Sequence, residues 1–303
     1  MEIGFVTSIL DHSSFKEVVD TASRIGYQCI EVACWPNGTA ERRYAGVCHI
    51  DVTNMTASYA KEILDYAESK NVRISALAYY PNPLDPDKDK QAATIEHLKK
   101  VILASKMLQV NMVTTFIGRN QYKNVEENLE LVQETWPSII HFAEENKVKI
   151  AIENCPMLFG PDQWPGGQNL MTTPEIWKKI FEMIPSPFFG LNFDPSHFIW
   201  QMMDYIEPIS EFSDKIFHIH FKDIKLNREN LKKIGIMAYP LGYMDPRIPG
   251  RGDIDWQKFI EALDAIAYSG PACVEVEDRD FEGSDEKVMD SLQRSYNYIK
   301  QFI

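Results

Sequence analysis

Eight short apolar runs alternate with eight amphipathic stretches of helical length, and no other feature of the sequence constrains the fold more. The predicted strands lie near Glu2–Val6, Gln28–Ala33, Arg73–Tyr79, Met112–Phe116, Lys149–Glu153, Phe188–Asp194, Ile216–Lys222 and Ala272–Glu277. The predicted helices lie near Ser14–Ile25, Ala57–Ser69, Lys90–Leu108, Val125–Glu145, Pro174–Ile184, Trp200–Phe212, Trp256–Ala267 and Asp285–Phe302. Strands that alternate with helices pair in parallel, and eight such units are typical of a closed (β/α)8 barrel, the TIM barrel.

The alternative for such a pattern is an open, doubly wound sheet. That fold usually carries a glycine-rich turn after its first strand, and the segment after Val6, TSILDHSS, contains no glycine. The 303 residues are 45% hydrophobic, enough for one large core, and they show neither an internal repeat nor a linker. We therefore predict an α/β fold in which residues 1–303 form a single TIM-barrel domain.

Two connections are too long to be plain turns, and both follow strands whose ends lie on the same rim. They are Cys155–Thr172 after the fifth strand and Ile224–Asp253 after the seventh. The C-terminal rim of a TIM barrel is where active sites are built, and long loops often cover or bind a ligand. The alternative is that they pack on a neighbouring subunit. Aromatic residues that could cover a substrate are Phe159, Trp164, Tyr239 and Tyr243.

Four of the apolar strands end in residues that commonly bind metals. These residues are Glu153, Asp194, His220 and Glu275. A charged carboxylate at the end of a buried strand is costly unless it is paired or bound to a cation. Because strand side chains alternate between faces, each of the four points away from its larger apolar neighbours. We predict that they converge on one divalent ion, with Mn²⁺ favoured and Mg²⁺, Co²⁺ or Zn²⁺ as alternatives.

Several neighbouring residues have more than one interpretation. Glu277 is an alternative ligand to Glu275, which is favoured because it lies deeper in the predicted barrel. His197 could be a fifth ligand, contact the substrate or cap the next helix. Lys222 could neutralise charge on a substrate oxygen, or pair with Asp223 or Glu277. His218 is expected to be hydrogen-bonded in the core.

Further candidate substrate contacts lie at the same predicted rim. Glu31 is near the end of the second strand, and Asn82 follows the third. Trp35 is placed to pack against the apolar face of a sugar, although an aromatic residue there can equally belong to the core.

Composition argues against several partners and locations. The net charge of −13 disfavours a nucleic acid or a membrane surface, because both require a basic face. The five cysteines show no paired spacing. The sequence MEIGFV is predicted to form a strand and does not show the pattern of a signal peptide. No apolar stretch is long enough to span a bilayer. We predict a cytoplasmic protein with a small carbohydrate as its partner, and a homo-oligomer is compatible with the sequence.

The predicted site suggests acid–base chemistry. Glu153 and Glu275, both beside one metal, could remove and return a proton next to a carbonyl while the metal stabilises an enediolate. This predicts an isomerase or epimerase of a small sugar or keto-sugar. A metal-dependent lyase or dehydratase acting on a keto-sugar, keto-glycoside or inosose is the alternative, and a non-catalytic sugar-binding barrel is a third interpretation.

The motifs IAIEN, NFDPSH, HIHFKD, PGRGDIDW and VEVED, in this order, resemble the xylose isomerase-like TIM-barrel superfamily of sugar phosphate isomerases and epimerases. The resemblance covers essentially the whole chain. It implies that Glu153, Asp194, His220 and Glu275 bind the metal. It also implies that Glu153 and Glu275 form the acid–base pair and that His197 contacts the substrate.

Two departures from that superfamily matter. Its epimerases carry an arginine a few residues after the metal histidine, where this chain has Leu226. Endonuclease IV, another member, needs additional histidines, but the corresponding segment here is GDIDW. This difference, together with the acidity of the chain, argues against a DNA-repair nuclease. Cationic residues that could replace the arginine are Lys222, Lys225, Arg228 and Arg251, and Arg251 is therefore a candidate substrate contact.

Overall fold

A computed structural model of the protein describes residues 1–38, 44–158, 160, 164 and 166–303. Within these residues, eight parallel strands form a closed barrel, which confirms the predicted fold class. The barrel strands are β1 (Glu2–Val6), β2 (Cys29–Ala33), β3 (Arg73–Ala78), β4 (Met112–Thr115), β5 (Lys149–Glu153), β6 (Phe189–Phe193), β7 (Ile216–Phe221) and β10 (Pro271–Val274). The ring closes where β10 pairs with β1, with Ile3 opposite Ala272.

Helices follow most of the strands, and several begin at capping residues. The helices are α1 (Phe15–Ile25), α2 (Ala57–Ser69), α3 (Lys88–Met107), α4 (Val125–Glu145), α5 (Pro174–Met183), α6 (Ser196–Trp200), α7 (Glu207–Glu211), α8 (Arg228–Ile234), α9 (Trp256–Ala265) and α10 (Asp285–Ile299). Helix α1 shows why the boundaries were predictable: Ser14 and Glu17 form a capping box, and Gly26 ends the helix in the left-handed conformation. None of the helices in the described residues is both long and apolar enough to cross a membrane.

Side chains along β7 point alternately into the barrel and outward toward the surrounding helices. Every residue of Ile216–Phe221 is buried. Phe221 packs outward against Trp256 of α9, with ring centroids 5.5 Å apart, whereas His220 points into the barrel mouth toward Glu153 and Glu275. The side-chain period of two therefore carries polar groups into an otherwise apolar interior.

The predicted helix Trp200–Phe212 is wrong, since the chain forms two short helices, α6 and α7, with a break between them. Met202 adopts a positive φ of 59°, which ends α6. Asp204 then accepts hydrogen bonds from the amides of Ile206 and Glu207 and starts a new turn. A methionine that adopts the left-handed backbone conformation cannot be recognised from the hydrophobic pattern of a sequence.

The long connection after β7 has secondary structure of its own, which the sequence analysis did not predict. It contains an antiparallel ribbon of β8 (Asp223–Leu226) and β9 (Met244–Arg247), with α8 between the two strands. Of the other long connection, 155–172, part lies outside the described residues, including Phe159. The described parts of both connections stand at the C-terminal mouth of the barrel.

Asp223 anchors the connection after β7. Its buried carboxylate accepts hydrogen bonds from the amides of Gly250 and Ile254 and from the indole nitrogen of Trp256. Burial raises the pKa of Asp223 because a charged carboxylate is less stable away from water, although these donors offset part of the shift. A side chain at Gly252 would overlap the same carboxylate, so the GRGDIDW segment is built around it.

Candidate metal centre

The four side chains predicted as metal ligands lie together at the C-terminal mouth of the barrel. They are Glu153 at the end of β5, Asp194 directly after β6, His220 in β7 and Glu275 directly after β10. One ligand-type atom from each lies within 4.8 Å of those of the others. His220 Nδ1 is 3.6 Å from Glu153 Oε1 and 3.5 Å from Glu275 Oε2. Segments distant in sequence thus meet at a spacing that one cation could bridge.

Several buried polar atoms in this cluster have ion-pair contacts with other residues of the cluster or with Lys222 but no well-aligned hydrogen bond from a described residue. They are Asp194 Oδ2, His197 Nε2 and His220 Nδ1. Buried polar atoms in proteins almost always have a partner, so unmet atoms that share one small space indicate a missing ligand. With the carboxylates of Glu153 and Glu275, they provide oxygen and imidazole donors that suit a divalent cation.

His220 is oriented by a carboxylate beneath it. Its Nε2 lies 2.7 Å from Glu31 Oε2 and 2.9 Å from Asn192 Nδ2, and its Nδ1 faces the cluster. Because an ionised carboxylate can only accept, we assign the Nε2 hydrogen to the shorter contact with Glu31. Glu31 Oε1 also accepts hydrogen bonds from the hydroxyls of Tyr80 and Thr114. Burial alone would raise the pKa of Glu31, but the neighbouring imidazoles His220 and His218 hold it at about 2.

The position of Glu31 corrects the prediction that it lies at the rim and contacts substrate. Its side chain is fully buried and does not line the cleft at the mouth of the barrel. Its contact with His220 instead makes it a support for a candidate ligand.

His218 is packed in the core, as expected. Its Nδ1 is 3.0 Å from Asn192 Oδ1, and its Nε2 is 3.2 Å from the hydroxyl of Ser75. Burial lowers the pKa of His218 to about 4, because the charged imidazolium is poorly accommodated there. This histidine is neutral near pH 7.

Lys222 lies among the carboxylates of the cluster. Its Nζ is 2.6 Å from Glu275 Oε2, 3.1 Å from Asp194 Oδ2 and 3.2 Å from Glu277 Oε2. Burial disfavours the ammonium, but these carboxylates outweigh it and raise the pKa of Lys222 well above its usual range. Of the predicted pairings, the one with Glu277 is present, whereas Asp223 accepts hydrogen bonds from the rim connection instead.

Glu153 and Asp194 are ionised in this environment. Burial would raise both pKa values, but for Glu153 the positive charge of His220 and the His197 ring 3.7 Å away lower the pKa. For Asp194 the ammonium of Lys222 and the imidazole of His197 lower the pKa despite burial. Both residues are therefore in the form that can bind a cation.

His197 belongs to α6, and its ring faces the cluster. Its Nε2 lies 3.3 Å from Asp194 Oδ2 and 3.7 Å from Glu153 Oε1. The residue at the start of α6 is Pro195, without a side-chain cap, so the capping interpretation of His197 is wrong. The roles as a fifth ligand and as a substrate contact both remain compatible with this position.

A cleft of about 1080 Å³ opens above the cluster, and its floor includes Glu153, Lys222 and Glu275. Trp35 lines it and packs edge-on against Tyr79, with ring centroids 4.9 Å apart. Asn82 also lines it, but its side chain bonds the backbone of Arg119 and Leu84 and so ties two rim loops together. Asn82 thus has a structural role in addition to its place in the wall.

Of the cations proposed to replace the missing arginine, Lys222 is the one that lines the cleft. The prediction that Arg251 contacts substrate is not supported by its position, since its guanidinium binds Asp278 and Asp280 at 2.8 and 2.7 Å, away from the cleft. Lys225 pairs with Asp253, and Arg228 is an exposed residue at the start of α8.

Some residues of the site were not predicted. Arg279 lines the cleft mouth. Its position directly after the motif VEVED could have indicated this, because that motif ends a barrel strand at the same rim. Asn154 accepts a hydrogen bond from the Asp194 amide at 2.7 Å and donates to its carbonyl at 2.9 Å, which holds the aspartate in place. Tyr80 binds Glu31 from the wall of the cleft.

Curated relatives and solved structures agree with this architecture. The uncharacterized protein YfiH of Bacillus subtilis (strain 168) is 25% identical over 309 residues, covering 92% of this chain and 93% of YfiH. An inosose dehydratase of Clostridium beijerinckii is 27% identical over 183 residues, which covers 59% of this chain and 57% of the dehydratase.

Two solved structures superpose along almost the entire chain and show the fold. The D-psicose 3-epimerase of Clostridium cellulolyticum H10, solved with D-tagatose, has a TM-score of 0.73 at 14% identity and covers 100% of this chain and 99% of its own. An IOLI protein solved with a binding zinc atom has a TM-score of 0.72 at 19% identity, with 100% and 99% coverage. The sequence model of one family also matches residues 19–299, so this chain belongs to the xylose isomerase-like TIM barrel family.

Proposed function

We propose that the protein is a divalent-metal-dependent isomerase or epimerase that moves a proton next to the carbonyl of a small sugar or keto-sugar. The observation that supports this most strongly is the convergence of Glu153, Asp194, His220 and Glu275 at the floor of a cleft, where Asp194 Oδ2 and His220 Nδ1 have no well-aligned hydrogen bond from a described residue. The relatives and neighbours include sugar epimerases and an IOLI protein with bound zinc, which agrees with such chemistry.

The same four residues would hold the ion, with Mn²⁺ as the expected metal because most of the donors are carboxylate oxygens. A divalent ion there would polarise a substrate carbonyl as a Lewis acid. Glu31 would keep His220 in the tautomer that directs Nδ1 at the ion.

The chain itself would supply the proton transfers. Glu153 is ionised and lies at the cleft floor, so it can accept a proton from the carbon next to a carbonyl. Glu275 reaches the same space from β10 and can return a proton at a second position. Lys222, 2.6 Å from Glu275, would offset negative charge that develops on a substrate oxygen, and His197 would bind a hydroxyl.

A dehydratase is the second candidate function, and the curated relatives favour it. The inosose dehydratases match at about a quarter identity, and a probable 3-DHS dehydratase from Bacillus anthracis has a TM-score of 0.71 at 16% identity. The initial proton removal would be the same, followed by loss of a hydroxyl β to the carbonyl.

Proton exchange in D₂O tests the proposal directly. Metal-free protein is loaded with Mn²⁺ and incubated with ketoses, keto-inositols and 3-keto-glycosides, and deuterium at the carbon next to the carbonyl is followed by NMR. We expect exchange that is lost in Glu153→Gln and retained in Glu145→Gln, an exposed change at the end of α4. Parallel reactions in H₂O then separate the two reactions, because isomerisation conserves the substrate mass and dehydration removes one water.

Calorimetry provides the outcome that would contradict the proposal. If metal-free protein binds no Mn²⁺ while still binding sugar, the barrel is a non-catalytic sugar-binding protein. If Mn²⁺ binds equally well to wild type and to a variant carrying Asp194→Asn and Glu275→Gln together, the ion is held elsewhere.

A further inference from the structure

The cleft above the candidate metal centre extends across the whole mouth of the barrel. In the closed ring, β3 and β7 stand opposite each other. One end of the cleft is lined by Lys90 and Thr94 from the start of α3, which follows β3. The other end is lined by Leu241 and Met244 from the connection after β7. A ligand seated at the centre therefore leaves space on either side of it.

Charged residues also line the rest of the cleft, among them Asp85, Lys90 and Arg279, but the residues of the candidate site lie at its centre. Glu153, His197, Lys222 and Glu275 form its floor, where the hydroxyl and carbonyl groups of a sugar would bind. Clefts of about 300–1000 Å³ hold drug-sized ligands, which are considerably larger than a hexose. At about 1080 Å³, this cleft has room for a sugar and a second group of similar size.

The end at the β7 connection has an apolar surface, which we call the excursion wall and define as Trp200, Tyr239, Leu241 and Met244. The first of these is almost fully buried and belongs to an apolar cluster with β8. Leu241, by contrast, is 40% exposed although it faces the cleft. Leu241, Met244 and Tyr239 together give this end of the cleft an apolar surface, and a contiguous apolar surface in a cleft is a place that an apolar ligand can cover.

Contacts between the two rim connections hold this wall in place. Trp164, from the connection after β5, donates a hydrogen bond from its indole nitrogen to the carbonyl of Met237 at 2.9 Å. Its ring packs against Trp200 with centroids 6.1 Å apart. The hydroxyl of Tyr243 also reaches the carbonyl of Trp200 at 3.4 Å. A surface fixed from two sides can act as a preformed subsite.

We infer that the substrate is a glycoside, with its sugar ring over the candidate metal centre and a flat apolar aglycone against the excursion wall. This inference rests on the proposed function, because the reacting sugar must lie at the cluster. A phosphorylated sugar would require basic groups or a backbone nest at that end. Arg279 lines the cleft near Tyr239, so a phosphate group is the competing ligand that the test must separate. The four members of the excursion wall are apolar or aromatic, and their surface favours an apolar group.

Two probe ligands that differ only in the apolar group test the inference. Binding of phenyl and methyl β-D-glucopyranoside to the full-length, Mn²⁺-loaded protein is measured by calorimetry, with glucose 6-phosphate as a third probe. We expect the phenyl glycoside to bind about ten-fold more tightly than the methyl glycoside, as burial of a ring face against apolar side chains implies. Equal affinities for the two glycosides would overturn the inference, as would tightest binding of glucose 6-phosphate.

Matched variants then locate the preference. Leu241→Ser and Met244→Ser should each reduce the phenyl preference several-fold, whereas Leu103→Ser should leave it unchanged. Leu103 is a suitable control because it is 43% exposed on α3 and does not line the cleft. An undiminished preference in both wall variants would place the phenyl group elsewhere and refute the assignment.

The two proposals can fail separately. If Mn²⁺ binds and deuterium exchange occurs with simple ketoses, but the phenyl group brings no gain in affinity, the substrate inference is wrong and the proposed function stands. If the phenyl preference depends on the excursion wall but the protein binds no Mn²⁺, the subsite exists and the metal-dependent function is wrong.

Discussion

Replacing Glu31 by glutamine should weaken metal binding, although Glu31 is not itself a predicted ligand. In the wild type its Oε2 accepts a hydrogen bond from His220 Nε2 at 2.7 Å, which leaves Nδ1 free to face the cluster. A glutamine amide in that place can present NH₂ to the ring and stabilise the other tautomer, with the hydrogen on Nδ1. That hydrogen would then occupy the position of the metal.

The expected loss of Mn²⁺ affinity in Glu31→Gln can be estimated from other carboxylates that orient a metal-bound histidine. Loss of a partner that orients a metal-bound histidine typically reduces metal affinity 10–100-fold, or about 1.4–2.7 kcal/mol. Glu31 is fully buried, so water cannot replace the lost contact and the upper half of this range is expected. The amide oxygen of glutamine can still accept from Tyr80 and Thr114, which preserves much of the local structure.

Calorimetric titration of chelator-treated protein with Mn²⁺ measures this effect. Thr114→Val is the matched control, because it removes a 2.7 Å hydrogen bond to Glu31 but leaves the contact with His220 intact. Its Mn²⁺ affinity should change less than three-fold, and melting curves without metal check that both variants fold. Wild-type affinity in a folded Glu31→Gln protein would refute the argument that Glu31 orients His220.

Three further changes test other parts of the structure. Gly4→Ala should destabilise the barrel by about 1–3 kcal/mol in urea unfolding, since the new methyl would lie 2.6 Å from the Cys29 thiol. Gly38→Ala should have little effect, because no atom of the described residues lies within 4 Å of the new methyl. Burial lowers the pKa of His49 below its ordinary 6.5, so the unfolded chain binds a proton that the folded chain does not. Stability should fall as the pH drops below about 6.5, and His49→Gln should make this dependence shallower in denaturation series at several pH values. Lys222→Met should lower the melting temperature in EDTA, because unpaired buried carboxylates cost about 3–5 kcal/mol, and Mn²⁺ should restore more stability to this variant than to wild type; equal gains would contradict that account.

The barrel and the ligand-type residues were predictable because both depend on local patterns. Strand and helix lengths follow from hydrophobic periodicity, and a carboxylate at the end of a buried strand is conspicuous. Asp194, for example, interrupts an apolar run directly before a proline. Parallel strands in a barrel all end at the same mouth, so residues at their ends must come close together.

The residues that were misplaced depend on register and on distant partners. Glu31 was expected at the rim, but the pairing of β2 with β3 shifts register between Ile30 and Glu31, which a single sequence does not reveal. Arg251 was expected in the cleft, but its partner Asp278 is in another segment of the chain. The ribbon of β8 and β9 likewise forms through pairing across a long insertion.

The charge balance at the cluster connects these observations. Three carboxylates (Glu153, Asp194 and Glu275) meet in a mostly buried space, and Lys222 supplies one ammonium beside them. His220 is already committed to Glu31 through its other nitrogen. Like charges this close in a region of low dielectric repel strongly. Burial disfavours the charged form of His220, but Glu31, Glu275 and Glu153 outweigh burial and raise the pKa of His220 well above its ordinary value. A divalent cation would take the place of the proton on His220 Nδ1 and balance the three carboxylates at the same time. It would also be a ligand partner for Asp194 Oδ2, which has no well-aligned hydrogen bond although Lys222 Nζ is 3.1 Å away.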